Sequence, residues 1–201
     1  MTPFKEKTFA IPPLKGISAK TIEEHLKLYS GYVKNLNSIL EKIPVYEGYI
    51  KEDAFAPYVI NELHRRMSFE FNGMRNHEYY FSNLEGEPIQ LTDGGALKSE
   101  IEKTWGTFDV FLNGFKAMAL TRGIGWAMLS YDKQTQKLMI HWVDEQHFGQ
   151  LSGTQPILAL DMWEHSYVAD YQSSGKKQYV EDFFTNLNWS TCENNYAKAL
   201  V

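Results

Sequence analysis

The sequence predicts an α+β protein: an N-terminal antiparallel helical hairpin, then a C-terminal domain made of a three-stranded antiparallel sheet with surrounding helices. Three observations predict it. Apolar residues recur at three- and four-residue steps from Ile22 to Phe81, a turn-rich segment follows between Gly86 and Gly95, and beyond Trp126 the pattern shifts to short strand-like runs.

Ser18 or Thr21 can cap a first helix whose stripe carries Ile22, His25, Leu26, Tyr29, Tyr32, Val33, Leu36 and Leu40. A second helix is expected over about 57–84, with Ile60, Leu63, Met67, Met74, His77 and Phe81 inward. Gly73 interrupts it at a cost of ~1 kcal/mol unless close packing requires a residue without Cβ. The two helices join near Tyr46-Glu47-Gly48. After Gly86-Glu87-Pro88 and Thr92-Asp93-Gly94-Gly95, a third helix is expected over about 96–121. Segments 126–131 and 137–142 read as hairpin strands, 157–160 as a third strand, and 180–184 and 196–200 as closing helices. The domain division is placed at 1–88 and 89–201.

With 201 residues, 43% of them hydrophobic, the chain can bury a sizeable core. No apolar run reaches the ~20 residues that span a bilayer, and the start, Met1-Thr2-Pro3-Phe4-Lys5-Glu6-Lys7, lacks the apolar centre of a secretory signal, so a cytoplasmic location is expected. A formal charge of −5 without a long basic block argues against a nucleic-acid partner. Cys192 is the only cysteine, so an internal disulfide and a thiolate metal cage are excluded.

Chemistry concentrates in Leu160-Asp161-Met162-Trp163-Glu164-His165, which follows the apolar run Pro156-Ile157-Leu158-Ala159-Leu160. A carboxylate and an imidazole at the end of a buried strand are costly unless something binds them. Together they suit a first-row transition ion. Taken alone, an Asp and a His four residues apart more often cap a helix, and a histidine among aromatics, such as His77, is more often a core group bonded to a carbonyl.

Read together, Asn76-His77-Glu78-Tyr79-Tyr80-Phe81, Gly123-Ile124-Gly125-Trp126 and Asp161-Met162-Trp163-Glu164-His165 occur in an order that resembles the iron/manganese superoxide dismutase family, over roughly residues 21–196. The resemblance implies a homodimer that converts superoxide to oxygen and hydrogen peroxide by cycling one manganese or iron ion per subunit. It implies His25, His77, Asp161 and His165 as ligands, Tyr32 as the gateway hydroxyl, and Gln146 as the amide that hydrogen-bonds solvent at the metal. Gly73 stands where iron-type members usually carry that glutamine, which favours manganese. Glu164 would pair across a twofold axis with His165 of a second subunit, and Trp126 and Trp163 would wall the site. A redox-inert ion such as zinc could occupy it without turnover. Two rival readings are another metal-dependent redox activity on this scaffold, and a non-dismutating metal-binding or dimeric interaction protein.

The chain departs from the family pattern at several positions. The family's first ligand stands eight residues before the gateway tyrosine; counting back eight from Tyr32 gives Glu24, and His25 is seven away. A step of seven leaves two helical side chains within about 20° of one stripe, whereas a step of eight separates them by about 80°. His25 is therefore favoured, while Glu24, three residues after Thr21, could close a capping box. The family's second histidine is replaced by Tyr29 or Leu28, a tyrosine by Val168, and an arginine by Asn195, the last two being expected near the entrance. His64 is expected on a solvated face and His141 on an exposed strand face, and His147 is ambiguous.

Overall fold

The computed structural model describes residues 2–201. An extended strap leads into α1 (Ala19–Gly48), where the Ser18 side chain accepts from the Thr21 amide and caps the helix. Helix α2 (Ala56–Asn83) returns alongside it with a proline in its first turn. Contacts between the two run in opposite senses: His25 meets Phe81, Tyr29 meets Glu78, Tyr32 meets Phe69, and Asn35 meets Glu70. The pair is thus an antiparallel hairpin, its connection lying at 49–55, slightly beyond the expected turn. Within the strap, the Lys7 amide donates to Tyr29 Oη at 2.9 Å and the Phe4 amide to Asn37 Oδ1 at 2.8 Å, which fasten it along α1.

The single third helix expected from the sequence is two helices, α3 (Ala96–Trp105) and α4 (Phe108–Ala119). Gly106 closes α3 at φ +86°, its amide donating to Glu102, and Thr107 caps α4 by accepting from the Val110 amide. A glycine followed by a threonine is a stop signal next to a start signal. The apolar period continues across both and masked the break.

The sheet consists of β1 (Gly125–Asp132), β2 (Lys137–Asp144) and β3 (Thr154–Asp161), antiparallel in the order β2-β1-β3. Central β1 is buried along nearly its whole length, because helices cover what its neighbours do not. Pro156 lies in edge strand β3, where a missing N–H is tolerated, and the β1–β3 register shifts beside it, at Leu129/Ser130. A short α5 (Val168–Tyr171), then α6 (Lys176–Asn186) and α7 (Trp189–Ala199), close the domain; both closing helices start earlier than expected. The segment between α2 and α3, where the division at 88/89 falls, is tied to α7 by an Ile89–Asn188 bridge and by Asn188 Nδ2 donating to Glu85 O.

The core runs from Tyr29, Val33 and Leu36 through Met74, Tyr80 and Phe81 to the sheet and to Phe183, Trp189 and Cys192. Among the described residues no helix is long and apolar enough to cross a membrane. The α3–α4 break gives a test. Gly106→Ala places a Cβ at positive φ and should destabilise the protein by about 1 kcal/mol, read as a lower urea midpoint; a higher midpoint would mean that the chain prefers one continuous helix there.

Candidate metal centre

Three strand ends and the middle of the helical hairpin meet at one place. Trp126 near the start of β1 pairs with Asp161 at the end of β3, and Gln146 follows the end of β2. Glu145, at φ +50°, turns the chain there, with its amide donating to Ile124 O. α1 brings His25 to this end of the sheet, α2 brings His77, and a 3-10 turn over Glu164–Ser166 brings His165. The ligand atoms of His25, His77, Asp161 and His165 all lie within 4.8 Å of one another.

Asp161 is fully buried, and its two oxygens are differently engaged. Oδ1 accepts the Trp163 amide at 2.8 Å, while Oδ2 faces the imidazoles: 3.1 Å from His25 Nε2, 3.2 Å from His165 Nε2 and 3.6 Å from His77 Nε2. Its carbonyl accepts from Tyr179 Oη at 2.9 Å and from Ser166 Oγ at 3.0 Å, so the end of β3 is held by backbone as well as side chain. Burial by itself would raise its pKa; the His165 charge and the hydrogen bonds from His165 and His25 outweigh it and hold the carboxyl below the usual range.

His77 supplies the sharpest indication of what the cluster takes. Its Nδ1 lies 2.6 Å from Gly73 O. A carbonyl only accepts, so Nδ1 carries the hydrogen and Nε2 presents a lone pair. That lone pair is buried, has no hydrogen-bond partner within the protein, and stands 3.6 Å from a carboxylate oxygen. Burial, with the His25 charge, pushes the His77 pKa down to about 3, so a proton does not fill the gap at neutral pH. Burial lowers that of His25 as well. Three imidazole nitrogens and one carboxylate oxygen converge, and the His77 nitrogen among them is short of a donor; the set fits a divalent or trivalent transition ion.

Glu24 is outside this group: it is exposed and bonds Lys27 at 2.8 Å, whereas its neighbour His25 is 1% exposed. α1 is regular across the region, so His25, Tyr29 and Tyr32 share one stripe. Tyr32 Oη accepts from Gln146 Nε2 at 2.9 Å, and the Tyr32 ring lies 5.0 Å from that of His77. Trp126 Nε1 donates to Gln146 Oε1 at 2.9 Å; an indole N–H can only donate, which orients the amide with its NH₂ group toward Tyr32. Trp126 thus orients Gln146 and also packs edge-on to His77 at 5.0 Å, and Trp163 stacks on His165 at 5.8 Å. Gly73 is required by close packing: a Cβ there would stand 2.4 Å from Tyr32 Cδ1.

Other expectations place differently. Tyr29 is buried against Phe9 and Phe81 and donates to Glu78, so it is a core residue, while Leu28 is exposed. Asn195 is not at the cluster's mouth. Its amide donates to Ile157 O, four residues before Asp161 and so about 13 Å away along an extended strand, and it lines a groove with Lys7, Arg75, Glu78 and Lys198. His64 is exposed as expected. His141 is half-buried and bonded to Ser130 Oγ at 3.0 Å, not on an open face. Glu164 is exposed, and Val168 starts α5. Missed from the sequence were Asn76, whose side chain donates to Gln146 O at 3.1 Å, and Tyr179, which holds Asp161; a buried asparagine next to His77 was the available signal for the first.

The family model described as "Iron/manganese superoxide dismutases, C-terminal domain" matches residues 93–195. A superoxide dismutase [Fe] of Cupriavidus metallidurans is 36% identical, with 93% of this chain and 92% of the relative covered. A superoxide dismutase [Mn] of Mycobacterium leprae is 34% identical over 87% of this chain and 82% of its own length. A superoxide dismutase [Mn/Fe] of Aeropyrum pernix is 32% identical, with 96% and 93% covered.

The depressed imidazole pKa values have a measurable consequence in metal-free protein. A folded pKa below the unfolded value of 6.5 contributes stability that is complete above 6.5 and is lost as pH falls toward 3, because the unfolded imidazole takes up a proton that folded His77 refuses. Between pH 7.5 and 5 the loss from His77 should be on the order of 2 kcal/mol, with His25 acting in the same sense. Urea titrations of the metal-free protein at the two pH values measure it; equal stability would mean that the folded cluster takes up protons as readily as the unfolded chain.

Proposed function

We propose, because the chain belongs to the iron/manganese superoxide dismutase family, that it is a superoxide dismutase holding one manganese or iron ion through His25, His77, Asp161 and His165. The observation that carries this reading is the buried His77 Nε2 lone pair, fixed by Gly73 O and aimed at Asp161 Oδ2 with no proton to separate them. When bound, the ion supplies a one-electron redox couple, so that one superoxide is oxidised to oxygen and a second, with two protons, is reduced to hydrogen peroxide.

The chain's residues do the rest. Asp161 supplies the anionic ligand, and its Oδ1 bond to the Trp163 amide keeps Oδ2 turned toward the imidazoles. The Tyr32–Gln146–Trp126 chain of hydrogen bonds ends in an indole that can only donate, so the amide is held as a hydrogen-bond donor toward Tyr32, whose own hydroxyl hydrogen is left free to donate. Manganese over iron is the finer reading, supported by Gln146 from the sheet domain supplying the amide while residue 73 is glycine. A homodimer joined through Glu164 and His165 is supported by the exposure of Glu164 and by the part-exposed ring of His165 at the cluster's edge. A cytoplasmic location fits a chain with one, buried cysteine.

Protein loaded separately with manganese and with iron should dismutate superoxide in at least one form. His25→Ala should lose metal and activity, and Glu24→Gln should keep both, with metal content measured by elemental analysis on the assayed sample. Full occupancy by either ion without turnover would replace the enzyme reading by that of a binding protein. Metal lost in Glu24→Gln but kept in His25→Ala would put the ligand at the eight-residue step.

Gln146→Leu should retain the ion but shift its reduction potential and reduce turnover roughly 10- to 100-fold, since a hydrogen-bond donor is lost without removing a ligand. An unchanged potential and rate would move that role away from residue 146.

A further inference from the structure

Superoxide must approach a chain of formal charge −5, so rapid capture needs a local cation near the mouth of the site. Asn195 does not mark that place. On the Tyr32 side, four contacts lead outward. The Tyr32 ring is 6.0 Å from Phe69, and the Arg66 guanidinium stands over the Phe69 ring at 3.6 Å. Arg66 Nε also donates to Glu70 Oε1 at 3.1 Å, while Asn35, one turn beyond Tyr32 on α1, donates to Glu70 Oε2 at 3.5 Å. Arg66 is thus fixed between an aromatic face and a carboxylate, one residue removed from the tyrosine that abuts His77.

The ion pair is asymmetric. The Glu70 side chain is 6% exposed and that of Arg66 is 44% exposed. The negative charge lies behind the positive one, and an anion arriving from solvent meets the guanidinium first. Nε is the Arg66 atom that holds Glu70, so the N–H groups of its two terminal nitrogens are left as donors on a side chain that is 44% exposed. Neighbouring Arg65 differs: its Nε and Nη2 are both bonded to Glu62, at 2.7 and 2.6 Å, in a pair exposed on both sides and screened by solvent.

We propose that Arg66, held by Phe69 and Glu70, is the cation that draws superoxide to the Tyr32 side of the site, and that Glu70 limits the strength of that attraction. The proposal rests on the dismutase reading.

The test uses full-length protein loaded with metal, with kcat/KM measured from about 0.01 to about 0.15 M ionic strength, over which the Debye length falls from about 30 to about 8 Å. Arg66→Gln should lower kcat/KM by roughly 3- to 10-fold at the low end and flatten its salt dependence. Arg66→Lys should retain most of the wild-type value, Glu70→Gln should raise it, and all four proteins should converge at the high end. Azide, a small anion that can ligate the metal, gives a second readout: its affinity, followed in the optical spectrum, should weaken in Arg66→Gln with the same salt dependence. An unchanged kcat/KM in Arg66→Gln, a loss that persists at high salt, or failure of lysine to rescue would overturn the proposal. If fully loaded wild-type protein does not dismutate superoxide, the dismutase reading fails, and the azide series alone decides whether Arg66 attracts anions.

Discussion

One imidazole is held from both ends by groups that cannot donate to it, and the rest of the site follows from that constraint. Gly73 O takes the hydrogen on His77 Nδ1, which leaves the Nε2 lone pair facing the buried Asp161 carboxylate at 3.6 Å. Two acceptors opposed in a low-dielectric interior repel each other. Both side chains are fully buried, out of reach of bulk solvent. Protonation would relieve the repulsion but is disfavoured by the same burial. A cation relieves it without a proton. The cluster is therefore built at a cost in the metal-free fold, and ion binding returns that cost as stability, coupling occupancy to folding.

Gly73 enters the same site twice. Its carbonyl sets the His77 tautomer, and its missing Cβ opens the space that the Tyr32 ring occupies. A side chain at 73 would displace Tyr32, and with it the hydroxyl that accepts from Gln146. The absence of an amide at residue 73 and the presence of one at residue 146 are thus one packing decision. Here the tyrosine packs against bare backbone, and the amide comes from the exit of β2. Trp126 and Asn76 complete this arrangement by holding, respectively, the side chain and the carbonyl of Gln146.

The parts of this architecture that were legible in the sequence are those written in short-range patterns. The stripe of α1 carries His25, Tyr29 and Tyr32 at steps of four and three, and the apolar run before Asp161 marks β3 as buried, so both elements and their inward residues could be read directly. Gln146 could not: it sits on an irregular turn after β2, and nothing in Val143-Asp144-Glu145-Gln146-His147 distinguishes it from a solvated loop without the family resemblance. The α3–α4 break was hidden because Phe108, Phe111 and Phe115 continue an apolar period across Gly106-Thr107. Asn195 was misplaced for a different reason. A position counted along α7 fixes a face of that helix but not which end of β3 the face covers, and that is set by tertiary packing.

The seven-residue step from His25 to Tyr32 has consequences beyond the choice of ligand. In a regular helix it puts residue 29 on the same inward stripe as His25 and Tyr32, so the side chain between them points into the core. Tyr29 uses that orientation structurally: it is 1% exposed, packs edge-on to Phe9 at 5.7 Å, accepts the Lys7 amide, and donates to Glu78. Glu78 is in turn bonded by Lys7 Nζ at 2.8 Å and by Arg75 at 2.7 Å. Residue 29 is thus the peg that joins the N-terminal strap, α1 and α2. Beyond Tyr32, Asn35, Glu70 and Arg66 form a second polar network that joins the two helices.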